Sequence, residues 1–81
     1  MEERRKDERI ALYKLGVIRF GSGLHEIPCA MIDVSERGAS IELATAFDVP
    51  QTFELAINGE DGTHFCKGVW VNAKILGVSF L

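Results

Sequence analysis

The chain has 81 residues, 47% of them hydrophobic and 26% charged, and a formal net charge of −3. That composition excludes a disordered chain, and the length allows one domain whose folding buries only about 60% of the unfolded surface. An acidic chain with a single basic cluster is also no non-specific binder of long nucleic acids, which need many phosphate contacts at once, and no apolar stretch approaches the ~18 residues that span a bilayer.

Residues 1–9 carry no apolar side chain after Met1 and hold four basic and four acidic residues. They cannot contribute to a core, so a flexible N-terminal segment over 1–9 is expected ahead of one folded domain over 10–81. Charged residues directly after Met1 are the opposite of a signal peptide's apolar h-region, and the chain is expected to be cytoplasmic. Within this segment Arg5 and Arg9 stand four residues apart, with Arg4 beside them. Each guanidinium is a planar fork that can hold a phosphate bidentately or stack on a purine, and this spacing lets two of them grip one ligand.

After Ile10 the texture turns to β. Leu12–Phe20, Ile27–Val34, Ala39–Leu43, Thr52–Ile57, His64–Val71 and Lys74–Leu81 are short apolar runs, separated mostly by turn-forming groups such as Gly21-Ser22-Gly23, Ser35–Gly38 and Asn58–Gly62. Asn58-Gly59 is a strong hairpin signal. Gly21-Ser22-Gly23 reads as a hairpin, since no Lys-Ser or helix follows to make a phosphate loop. The short helical candidate Ala44–Asp48 is too small to matter. Six strands with no 3.6-residue stripe predict an all-β fold, a small six-stranded antiparallel β-barrel whose closure removes exposed edges. Period-2 alternation assigns Ala39, Ile41 and Leu43, and likewise Phe53, Leu55 and Ile57, to the core. In the second strand it sets Ala30, Ile32 and Val34 on one side and both Asp33 and Ser35 on the outward side.

Asp33-Val34-Ser35-Glu36-Arg37-Gly38 closes that second strand. A carboxylate can accept from the N1 and N2 donors of a guanine, a hydroxyl can serve a neighbouring polar atom, and glycine permits close backbone approach at a tight turn. A plain polar turn uses the same residue types. The arginine pair before the first strand, followed by D-x-S-x-x-G at the end of the second, resembles the PilZ domain family, bacterial receptors for the second messenger cyclic di-GMP. Val69, Trp70, Gly77, Val78 and Phe80 look like the family's closing strands. The resemblance implies a β-barrel with the ligand on its outer surface, wrapped by the N-terminal segment. Arg5 and Arg9 would clasp phosphates and stack on guanine, Asp33, Ser35 and Gly38 would hold a guanine edge, and a basic Arg4 would favour an intercalated nucleotide pair. Such a protein signals to a downstream protein partner through ordering of residues 1–9; its only ligand is cyclic di-GMP, with no cofactor, no nucleic acid polymer and no membrane insertion.

The remaining residues carry less. Cys29 and Cys66 lack zinc or redox spacing and are expected to be buried free thiols, with a disulfide open only if their strands are neighbours. His25 and His64 are single, without ligand-spaced partners, and read as surface histidines. Trp70, inside an apolar run, is expected in the core. An enzyme is excluded by the lack of any nucleophile, base and orienting group that could be assembled. A nucleic-acid-binding barrel would need cations and aromatics interleaved on one face, whereas Lys14, Arg19, Arg37, Lys67 and Lys74 are scattered. The alternative to a nucleotide receptor is an adaptor of the same fold that works only through protein contacts.

Overall fold

The computed structural model describes residues 9–44 and 48–81. Arg4, Arg5 and most of the expected N-terminal segment therefore lie outside the described residues, as does 45–47 of the short helical candidate. Six strands form, β1 (Ile10–Phe20), β2 (His25–Val34), β3 (Gly38–Leu43), β4 (Thr52–Ile57), β5 (His64–Asn72) and β6 (Ile75–Phe80), and the described residues contain no helix. The strands close into a barrel in the order β1-β2-β3-β6-β5-β4, with all six neighbouring pairs antiparallel. The six-stranded antiparallel barrel read from the sequence is the fold observed.

Strands β1 and β2 each start two residues before their apolar runs, because the ladder itself extends them: Ile10 and Ala11 of β1 pair with Val34 and Asp33, and His25 and Glu26 of β2 with Phe20 and Arg19. The hairpin between them turns through Gly21, Ser22 and Gly23, all at positive φ (67°, 57° and 86°). This left-handed run is cheap only where glycine supplies most of it. Regular alternation places Ala39, Ile41 and Leu43 of β3 and Phe53, Leu55 and Ile57 of β4 in the barrel interior, where Ile18, Ile41, Leu55 and Cys66 are fully buried. Cys29 and Cys66 are free thiols inside this core, on strands that are not neighbours. Burial pushes both up to about 11, and Cys66 is raised further by the neighbouring Cys29.

Alternation fails at two places. On β2, Met31 pairs with Ile41 and Asp33 with Ser40, so Ile32 is an extra residue relative to β3. At the same level β1 also slips, between Ala11 and Lys14. Met31 consequently joins the core cluster, and Ala30, placed with Ile32 and Val34 by unbroken alternation, does not. On β5, Gly68 pairs with Val78 and Trp70 with Gly77, leaving Val69 as the extra residue. Each bulge reverses the facing of everything beyond it.

Candidate functional site

The two bulges stand one residue before Asp33 and one residue before Trp70. Asp33, Ser40, Gly77 and Trp70 pair in succession across β2, β3, β6 and β5. Ser40 lies between inward Ala39 and Ile41, and Gly77 between inward Leu76 and Val78, so this row faces outward. A second outward row pairs Gly38, Ser79 and Lys67. The outer wall of the barrel here is a floor of Gly38, Ser40, Gly77 and Ser79, side chains too small to project, with Asp33 at one side and the indole of Trp70 at the other.

Trp70 was expected in the core. It is 46% exposed instead, and it lies so directly over Gly77 that a methyl group built there would fall inside the indole ring. The Val69 bulge explains the difference, since without it Trp70 would face inward. Ser40 is 6% exposed, and among the described residues its hydroxyl has no hydrogen-bond partner. A buried hydroxyl without a partner is costly by about 1–3 kcal/mol, so it is a polar group with capacity to spare beside Asp33.

Arg9 joins this floor from the position just before β1. Its Nη1 lies 3.0 Å from Asp33 Oδ1, which brings the last residue of the arginine motif onto the first residue of D-x-S-x-x-G, 24 positions away. Arg9, Arg37, Gly38, Trp70, Gly77 and Ser79 together line a shallow hollow of about 190 Å³. Beyond Trp70, a second hollow of about 260 Å³ runs over Val49, Pro50, Phe53, Val71 and Leu76. Its lining has no cation among the described residues and also includes Asp48 and Gln51.

Ser35 departs from the outward position expected for it. It is 8% exposed, and its hydroxyl is turned onto the backbone of its own turn. Oγ accepts from the Arg37 and Gly38 N–H groups at 3.2 and 3.3 Å, and donates to the Gly38 carbonyl at 3.4 Å. The Ser35 N–H closes the same turn on the Gly38 carbonyl at 2.8 Å. All hydrogen-bonding capacity of the hydroxyl is thereby engaged. Gly38 sits where β3 meets β6, and a methyl group there would run into the Val78 carbonyl oxygen. The close approach for which its motif position suits glycine is made to the chain's own β6.

Of the expected site residues, the structure unites Arg9, Asp33 and Gly38, places Ser35 beneath them as the clasp of the turn, and leaves Arg4 and Arg5 outside the described residues. Sequence reasoning missed Arg37, Ser40, Trp70 and Ser79. Gly77 was a readable signal for Trp70, because a glycine inside a strand often marks a site of close approach. Arg37 occupies an undefined position of the motif and had no signal of its own. No group of three or more His, Cys, Asp or Glu able to hold a metal exists among the described residues, and no helix among them is long and apolar enough to cross a membrane.

Comparison with known families finds that the model described as the PilZ domain matches residues 3–81. No curated protein matches the chain.

Proposed function

The chain belongs to the PilZ domain family, whose members are generally cyclic di-GMP-binding or adaptor domains, and from that premise we propose that it is a cyclic di-GMP receptor that passes its signal to a partner protein. The observation that carries the reading is the meeting of Arg9 with Asp33 at 3.0 Å beside a floor of glycines and serines walled by Trp70. The Gly38–Ser79 side of the floor has no long side chain of its own to exclude a planar base, the indole of Trp70 lying on Gly77 gives the base something to pack against, and a carboxylate supplies acceptors for the N1 and N2 donors of guanine.

Each residue then has a role. Asp33 reads the guanine edge, and the spare hydroxyl of Ser40 lies next to it in the row. Arg9 turns from its carboxylate partner toward phosphate while staying within reach of both. Arg5 closes on the phosphates from the N-terminal side, and Arg4 stands beside it to accommodate a second nucleotide. Ser35 is a positioning residue: it holds the turn that fixes Asp33 behind it and Gly38 ahead. The nucleotide, together with residues 1–9 drawn over it, forms the new surface that a partner protein reads. Ordering such a segment consumes ~2–5 kcal/mol of the gross interaction energy, so affinity depends strongly on the contacts that Arg5 and Arg9 make.

Isothermal titration calorimetry with cyclic di-GMP tests this. The wild type is expected to bind saturably and Arg5→Ala to lose most of that affinity. A wild type that gives no binding heat at high nucleotide concentration would leave the adaptor reading in its place.

A further inference from the structure

We infer that Arg37 is the fixed anion seat of this site, holding a ligand phosphate from within the barrel, apart from the arginines of the N-terminal segment. The inference rests on the receptor reading above and adds to it a residue that its sequence motif leaves undefined.

The state of the basic side chains carries the argument. Arg9 is paired with Asp33, Lys14 with Glu60, and Arg19 with Glu26. The guanidinium of Arg37, like the ammonium groups of Lys67 and Lys74, has no ion pair or hydrogen bond among the described residues, but of these three it alone lines the same hollow as Arg9, Gly38, Trp70 and Ser79. Among the described residues its full donor set is therefore available, without first breaking a contact.

Its backbone is also held on both sides. The Arg37 N–H donates to Ser35 Oγ at 3.2 Å, and its carbonyl accepts from the Phe80 N–H at 2.7 Å. The first bond belongs to the turn and the second ties that turn to the end of β6, so the root of the side chain is fixed relative to the floor. A cation fixed in this way loses less freedom on binding than one on a free segment. A guanidinium presents a planar fork of donors that matches phosphate geometry. Its charge stands out in a chain of net −3, where a local positive patch draws an anion in from solution. The ligand chemistry that fits is a nucleotide phosphodiester lying across the Gly38–Ser79 row with its base against the indole of Trp70, which itself covers Gly77.

The order of events follows from the contrast with Arg9. Arg37 engages the phosphate on encounter, and Arg9, released in part from Asp33 as the guanine edge takes over that carboxylate, closes afterwards. Arg37 thus governs the association rate and its salt dependence, while Arg9 governs retention.

The test is stopped-flow and equilibrium titration of the full chain with cyclic di-GMP at several salt concentrations, comparing wild type, Arg37→Ala, Arg37→Lys and, as a control, Arg19→Ala. Arg37→Ala should bind about 10- to 100-fold more weakly, in line with the loss of a hydrogen-bonded charge contact. Most of the loss should fall in the association rate, with a shallower salt dependence. Arg37→Lys should recover the salt dependence and only part of the affinity, because an ammonium keeps the charge and loses the fork; Arg19→Ala should match the wild type. Wild-type binding with Arg37→Ala unchanged in affinity and salt dependence overturns the seat and leaves the receptor reading standing. A wild type that does not bind overturns both.

Discussion

The β1–β2 hairpin carries an arginine–carboxylate pair at each end, and the two ends have different chemistry. At the turn end, Arg19 and Glu26 face each other directly in the ladder, with Nε 2.8 Å from Oε2, beside stacked rings of Phe20 and His25. At the open end, Arg9 reaches Asp33, whose ladder partner is Ala11. Both ends have a hollow of similar size, about 180 Å³ beside Arg19 and about 190 Å³ beside Arg9. Neither an ion pair nor a cavity distinguishes them. The open end differs in its floor of small residues, its bulge-directed Trp70 and a second arginine that has no partner among the described residues. The turn-end hollow has Glu54 in its lining and its only arginine already engaged with Glu26.

The largest difference between the ends should appear in matched truncations. Arg9→Ala is expected to weaken cyclic di-GMP binding roughly 30-fold or more, the ~2 kcal/mol or above that follows loss of one partner from a charge-assisted contact. Arg19→Ala should leave the titration unchanged. Equal losses from the two substitutions would mean that charge alone, and not the floor, attracts the ligand.

A smaller effect isolates the floor itself. Gly77→Ala puts a methyl group where the indole of Trp70 now lies, so the ring must move off its seat. Base–aromatic packing is worth ~1–3 kcal/mol, and the substitution should cost about tenfold in affinity with the barrel's circular dichroism preserved. Undiminished affinity in a folded Gly77→Ala protein would remove Trp70 from the site.

The remaining effects concern stability. Ser35→Ala strips the acceptor from the part-buried Arg37 N–H and the buried Gly38 N–H and should lower unfolding free energy by ~1–3 kcal/mol in urea titrations. Glu26→Ala at the other end breaks only an exposed pair and should change it by no more than ~0.2–1 kcal/mol. A Ser35→Ala protein as stable as the wild type would show that the turn does not depend on its hydroxyl.

The fold was legible in the sequence wherever alternation is unbroken. Strands β3 and β4 announce their inward residues directly, and the turns at Gly21–Gly23 and Asn58-Gly59 carry residues suited to positive φ. The site was legible only in part, for the opposite reason. Asp33 and Trp70 face outward because Ile32 and Val69 are extra residues in their strands, and nothing in a β-branched side chain inside an apolar run marks it as a bulge. Ser35 misled because alternation governs strands, and Ser35 already belongs to the turn, where a hydroxyl is drawn to its own backbone. Arg37 became visible only when the lining of the hollow beside Arg9 was known.

Trp70 is the only tryptophan in the chain, which makes its emission a local reporter for the floor. The most direct measurement is therefore a cyclic di-GMP titration followed simultaneously by heat and by tryptophan fluorescence. A nucleotide seated between Asp33 and Trp70 predicts that the emission changes saturably, with the same midpoint as the heat. Heat that saturates while Trp70 emission stays constant would place the ligand elsewhere on the protein and contradict the site described here.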